Sequence, residues 1–333
     1  MNATPRHRLE GLEPDNLLAF LALLGLLRAL ETADRVRADG KKFRPRVAWD
    51  VDNPPLRPVL HLAHAATEKQ VAEATAEGVA SLSEDYAFDG QEDLNYHRKD
   101  ARVLLEKAAK SAAASKRNRV ELLAALMTDA AVKEEKQEEA IDPTPLCLLF
   151  GQGHQHFLDR LSSVPKTETP PRGRGKESVT SSTAECLAEA LFQPWRREAP
   201  LIFSFRWDPT EDVRYALMAG NPTDEAYKIG TQRGANQLAA IGLAALTVVP
   251  EIRAGRVRPS VPGGAFGREG FSLAWPIWRE PATLSSIRSL LGHPKLRESN
   301  ALEHLGIDHV VAAKRISVGK FMNFTRARPV EKS

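Results

Sequence analysis

The chain predicts an α+β fold, with a mainly helical N-terminal part and a C-terminal part of antiparallel sheet with packed helices. Three observations carry this. Leu17 to Leu30 places Leu, Ala and Phe on every face of a helix, and a helix apolar all round is buried all round. Asp93 to Glu139 is rich in Ala, Lys, Glu and Leu and contains no Gly or Pro, the texture of charged amphipathic helices. Beyond residue 200, several short strings alternate with period two, as half-buried strands do.

Taken in order, Pro14-Asp-Asn16 opens the first helix, with Asp15 or Asn16 as its N-cap. Arg46 to Asp50 reads as a strand stopped by Asn53-Pro-Pro55. Leu56 to about Leu82 reads as a helix with Pro58 in its first turn, and Ser83 to Asp89 as a polar loop. Asp93 to Glu139 makes two helices broken near Ser115 to Asn118. Their apolar faces carry Val103, Leu104 and Ala108, then Leu122, Leu123 and Leu126, and the tail from Lys133 is a solvated end.

Asp142-Pro-Thr-Pro145 is a hard break before Leu146 to Leu161. Ser162 to Ser182, mixing Pro and Gly with Lys, Arg, Ser and Thr, reads as a linker. Ala184 to Arg196 is helical. Leu201 to Trp207, matched by Val213, Tyr215 and Leu217, reads as a β-hairpin. Gln232 to Leu246 is a small-residue helix suited to close packing. Phe271 to Ile277 and His309 to Val318 supply a sheet, and Leu284 to Leu291 and Asn300 to Leu305 short helices. The expected divisions are residues 1–92, 93–140, 141–164, 165–183 and 184–333.

Composition is that of a globular protein, 42% hydrophobic and 27% charged. Cys147 and Cys186 sit in apolar contexts without zinc or CxxC spacing, which suits a reducing cytoplasm. The eleven residues from Leu17 to Leu27 lack a polar side chain, too short a run for a bilayer. Glu10, Glu13 and Asp15 stand where a signal peptide needs cations. A cytoplasmic protein without a membrane partner is expected.

Charge is polarised. Ile252 to Ser333 holds 14 Lys+Arg against 6 Asp+Glu, and the preceding residues 32 against 37. Basic side chains at the end alternate with Phe321 and Phe324, a pattern that suits phosphates and stacked bases. Lys314, Arg315, Lys320, Asn323, Arg326 and Arg328 are the candidate contacts there. A solvated basic edge strand produces the same pattern.

Gly151-Gln152-Gly153-His154-Gln155-His156 offers backbone N–H groups, Gln152 and His154 to an anion. A tight turn before a helix is its simplest reading. A metal on His154 and His156 ranks last, because no third ligand is spaced to help. Thr231 to Asn236 opens a helix with Arg233 and Asn236, a possible phosphate or base-edge contact, although capping and packing account for the same residues. Arg206 and Arg214 have acidic neighbours and read as surface ion pairs. His61 and His64 read as exposed helix histidines.

No P-loop, GxGxxG after a strand, GxSxG or HExxH string is present, so a non-catalytic protein without a cofactor is expected.

Several of these strings together resemble a known family. Leu9 to Arg28, reading Leu-Glu-Gly-Leu-Glu-Pro-Asp-Asn and then a Leu-rich helix ending Leu-Gly-Leu-Leu-Arg, is similar to the opening of large-subunit-like proteins of type I-U (I-G) CRISPR systems. Phe203 to Pro209 with Arg214 to Leu217, Arg233 to Asn236, and Gly319 to Phe324 resemble further pieces of that family. The resemblance covers both ends and the 203–217 region, but not residues 93–139 or the linker. It implies a subunit of an RNA-guided DNA surveillance complex with CRISPR RNA and backbone subunits. Such a subunit contacts target double-stranded DNA and its flanking motif, and helps recruit a separate helicase-nuclease. The rivals are a divergent metal-dependent nuclease or phosphodiesterase using His154 and His156, and a protein-only scaffold docking through Leu17–Leu30 or residues 93–139.

Overall fold

The computed structural model describes residues 3–37, 40–112, 117–133, 139–151, 155–166, 181–211, 230–298, 300–318 and 321–330. In chain order the elements are β1 (Thr4–Arg8), α1 (Leu17–Val36), β2 (Arg46–Asp50), β3 (Arg57–Ala66), α2 (Glu68–Ser83), α3 (Arg98–Ala112), α4 (Arg117–Leu126), α5 (Phe157–Ser163) and α6 (Thr183–Phe192). After a 3-10 turn at Leu201–Phe203 come α7 (Arg233–Leu243), β4 (Val249–Arg253), β5 (Arg256–Ser260), β6 (Gly264–Gly267), β7 (Gly270–Trp278) and α8 (Leu284–Leu291). A second 3-10 turn, Glu303–Leu305, leads to β8 (Ile307–Val318), β9 (Phe321–Phe324) and β10 (Arg328–Pro329). The fold is α+β, as expected.

α1 is the central helix. Asn16 caps it, its side-chain oxygen accepting from the backbone N–H of Leu18 at 2.9 Å. Its leucines are buried throughout, because α2, α7 and β7 surround it. Its closest partner is α7, and two glycines set the approach. A Cβ on Gly25 would lie 1.9 Å from the Leu238 oxygen, and one on Gly242 2.0 Å from the Leu21 oxygen. On the other side, Phe20 stacks on Trp275 with centroids 5.0 Å apart, and the Trp275 indole donates to the Pro14 oxygen at 3.1 Å. One core runs from Leu9 to Ala327, so residues from 1–92 and from 184–333 share it.

Two sheets flank this core. The first is antiparallel in the order β1-β3-β2. The second runs β10-β8-β7-β6 with β9 also on β8. Reciprocal backbone hydrogen bonds between Val47 and Ala282, at 2.9 and 2.8 Å, connect the β2 edge to the C-terminal half. β4 and β5 form a separate two-stranded ribbon.

The expected helix from Leu56 to Leu82 is a strand followed by a helix. Along β3 the burial alternates, with Pro58, Leu60 and Leu62 inward, and β3 has a partner on each side. The helix begins only at Thr67, where Thr67 and Gln70 form a reciprocal capping box. His61 and His64 therefore fall on opposite faces of a strand, and His64 stacks on Phe43. We expect Thr67→Ala to cost about 1 kcal/mol, read as a lowered unfolding midpoint in urea; an unchanged midpoint would show that the box adds nothing.

The hairpin expected at 201–217 is not present in its described part. Leu201–Phe203 is a 3-10 turn, and residues 204–209 are not strand. Phe203, Phe205 and Trp207 are buried as the alternation implies, but so are Ser204, Arg206 and Asp208. The backbone is satisfied by side chains and a helix start instead of a strand partner. Phe205 N–H donates to Asn236 Oδ1, Arg206 N–H to Ser204 Oγ, and Leu18 N–H to the Trp207 oxygen. Val213, Tyr215 and Leu217 lie outside the described residues. The two expected charged helices are α3 and α4. The short helix expected at Asn300–Leu305 is a single 3-10 turn.

Candidate nucleic-acid interface

The sequence-predicted residues do not gather in one place. Gln152, Gly153, His154 and Lys320 lie outside the described residues. Beside the first three, Gly151 has φ +74° and its N–H donates to the Gln155 oxygen at 3.0 Å. His156 precedes α5, with Nδ1 3.1 Å from Asp93 Oδ2. Among the described residues no group of three or more His, Cys, Asp or Glu could hold a metal ion. Both thiols are buried, and burial pushes Cys147 up to about 12, far from a nucleophile's range.

Arg233 and Asn236 do not face solvent, contrary to the helix-terminus contact expected of them. All of α7 is buried. The small side chains that suggested close packing enclose its N-terminus along with the rest. Arg233 lies over the Phe203 ring at 5.7 Å and donates to Cys186 Sγ. Asn236 donates to Thr231 Oγ1 at 2.8 Å and to the Gln232 oxygen at 2.9 Å. Arg206 is likewise buried, not on the surface, and donates to Gln155 Oε1 at 3.0 Å.

At the C-terminal end the expected row of phosphate contacts is dispersed. Asn323 is buried, its Oδ1 accepting from Phe324 N–H. Phe324 is 0% exposed and packs edge-on to Phe271, so it offers no face to a base. Arg326 pairs with Glu13 and Asp15, each at 3.0 Å. Arg315 is half-buried: it donates to the Pro145 oxygen at 3.1 Å and lies over Phe271. Burial lowers its pKa, and Asp142 opposes that shift. Lys314 is exposed and pairs with exposed Glu269, a contact that stabilises little. Arg328 is exposed on β10.

The cationic surface lies earlier in the chain, on elements that the sequence reading left unassigned. Arg253, Arg256 and Arg258 on the β4–β5 ribbon are exposed, as is Arg268 in the β6–β7 turn. Arg258 lies 5.9 Å over the Phe266 ring, Phe266 is 5.2 Å from Phe271, and Arg315 is 5.7 Å over Phe271. This ladder joins the ribbon to β8. Lys133, Arg258 and Arg315 all act on Asp142, whose carboxyl burial raises while these cations oppose the rise. Three cations around one partly buried carboxylate form a group able to take phosphate, whereas Lys314, next to Arg315 on β8, faces the other side of that strand. The signal in the sequence was Ile252-Arg-Ala-Gly-Arg-Val-Arg258, two basic-alternating strands about Ala-Gly.

α1 is enclosed by its own chain, so Leu17–Leu30 is no docking face for a scaffold. Among the described residues no helix is long and apolar enough to cross a membrane. Compared with protein-family models, curated proteins and solved structures, the chain finds no match in any of the three.

Proposed function

We propose that this chain is a non-catalytic nucleic-acid-binding subunit of a type I CRISPR RNA-guided DNA interference complex in the cytoplasm. In that role it contacts target double-stranded DNA and its flank, beside CRISPR RNA and backbone subunits, and helps recruit a separate helicase-nuclease. The observation that carries the binding reading is the group of Lys133, Arg258 and Arg315 around Asp142, with exposed Arg268 in the β6–β7 turn. The complex and its partners come from the family resemblance. Three of its strings meet in space: Asn16 bonds Asp208, and Asn236 accepts from Phe205. They are shared by residues that hold the core together, which fits a fold signature better than a catalytic one.

The test is binding of the full chain to a DNA duplex across a salt series. We expect a negative log–log slope, flattened by about 1.8 in Arg258→Ser/Arg268→Ser, since each phosphate contact contributes about 0.9. A slope equal to wild type in that variant would remove this face from the interface.

A further inference from the structure

We infer that the outer face of the β1-β3-β2 sheet is a second contact on the nucleic acid, where Arg6, His61 and Arg46 form a cationic row that takes its phosphates; this rests on the binding reading above. The strand register sets the row. His61 on β3 lies directly opposite Arg6 on β1 and Arg46 on β2. Opposed residues share a face, so the three side chains stand side by side across all three strands. Neighbouring strands are about 4.8 Å apart, which places the two arginines on the order of 10 Å apart with the imidazole between them. The next rank, His7, Leu60 and Val47, points inward and is buried. Arg6 and Arg46 are exposed, and His61 is half-buried.

Like charges arrayed across a ladder repel, and among the described residues no carboxylate answers these two. The acids at the far end of the sheet, Asp50 and Glu10, are both held by Arg8, at 2.5 and 2.8 Å. Burial lowers the pKa of His61, and Arg6 and Arg46 lower it further, with no acid opposing them. The ring is therefore a neutral spacer near pH 7. The chain entering β2, Lys41-Lys-Phe-Arg-Pro-Arg46, adds more cations and no acid, and its Lys42 and Arg44 are exposed. Asp34 nearby is spent on the backbone, accepting from the N–H groups of Phe43 and Arg44, both at 2.7 Å. Its grip holds Arg44 at φ +48°, a conformation that side chains other than Gly, Asn and Asp seldom adopt. A local rule broken without a packing gain marks a functional site, and a polyanion laid across the row turns its repulsion into attraction.

The form of the site selects the ligand. Small ligands are taken in concave sites, whereas this row crosses an open sheet face, as a polymer of phosphates requires. Arginine forks match phosphate oxygens in pairs. Bases find no platform here. Phe43 is 2% exposed, with Arg37 4.3 Å over its ring and His64 stacked at 5.2 Å. Without an open aromatic face, the row touches the backbone alone and reads no sequence.

The experiment measures the full chain on a 30-bp DNA duplex by fluorescence anisotropy across a salt series, with thermal melting of every variant. Arg6→Ser/Arg46→Ser is expected to weaken binding roughly tenfold or more and to flatten the log–log slope by about 1.8, equally on duplexes of unrelated sequence. Its melting midpoint should stay or rise, because a repulsion is removed. Arg6→Lys/Arg46→Lys keeps the charges and should restore the slope. Arg196→Ser/Lys295→Ser removes two exposed cations elsewhere and should bind as wild type. An unchanged slope in Arg6→Ser/Arg46→Ser, with Arg258→Ser/Arg268→Ser still flattened, would overturn the row and leave the binding reading standing. An equal loss in Arg196→Ser/Lys295→Ser would also overturn the row, since net charge alone would then explain the effect. Absence of any salt-dependent binding by wild type would overturn both.

Discussion

Gly25→Ala lowers the stability of this protein by about 3 kcal/mol, although the same change on an exposed helix would stabilise by nearly 1 kcal/mol. The sign reverses because α1 and α7 touch backbone to backbone. The added Cβ would sit 1.9 Å from the Leu238 oxygen and 2.6 Å from its carbonyl carbon, and neither atom can rotate away. The helices must separate, and their shared core with them. Gly242→Ala meets the Leu21 oxygen at 2.0 Å and should behave alike. Gly292→Ala is the control, since its Cβ would find the Arg288 oxygen at 3.6 Å and the Ser289 oxygen at 3.8 Å, both ordinary contact distances. Thermal melting should show a drop on the order of 4 °C for Gly25→Ala and almost none for Gly292→Ala. Equal midpoints in the two variants would mean that the crossing is looser than its geometry.

Much of this architecture was legible. The all-apolar run from Leu17 needed only the burial rule, and Asn16 supplied its cap. α8 and the β2, β7 and β8 strands followed from periodicity. β3 is ambiguous in sequence because Leu, Ala and His without a turn signal suit a helix as well as a strand; the Thr67 to Gln70 capping box is the local signal of where the helix starts. The 201–211 segment failed for a different reason. Its aromatic alternation is real, but Ser204 and Asp208 bond backbone N–H groups two residues on, and Asn236 bonds the Phe205 N–H, a contact that exists only after distant segments meet. Charge counting found the basic third of the chain but not which of its cations are answered by acids. Net charge cannot tell Arg326, answered by Glu13 and Asp15 from the far end of the sequence, from Arg258 on an open ribbon.

Asp208→Ala should cost about 3–5 kcal/mol, the range for breaking a buried ion pair. Asp208 is 0% exposed. It accepts from Asn16 Nδ2 at 3.1 Å, Thr210 N–H at 3.0 Å and Arg197 Nε at 2.7 Å. One carboxylate thus fastens the cap of α1, the 204–211 segment and a largely buried guanidinium. Its removal strands the Arg197 charge, while Asn16→Ala forfeits a cap and one hydrogen bond, about 1–2 kcal/mol. A double-mutant cycle should show coupling between them of about 0.5–3 kcal/mol; additive losses would mean that Asn16 and Asp208 act separately. The same variants divide scaffold from interface. Asp208→Ala should lower the melting temperature and leave the salt slope of the folded fraction intact, whereas Arg258→Ser/Arg268→Ser should flatten the slope and leave melting unchanged. If Asp208→Ala flattened the slope as well, the Leu9–Arg28 and Phe203–Pro209 strings would be part of the binding surface and not only of the core beneath it.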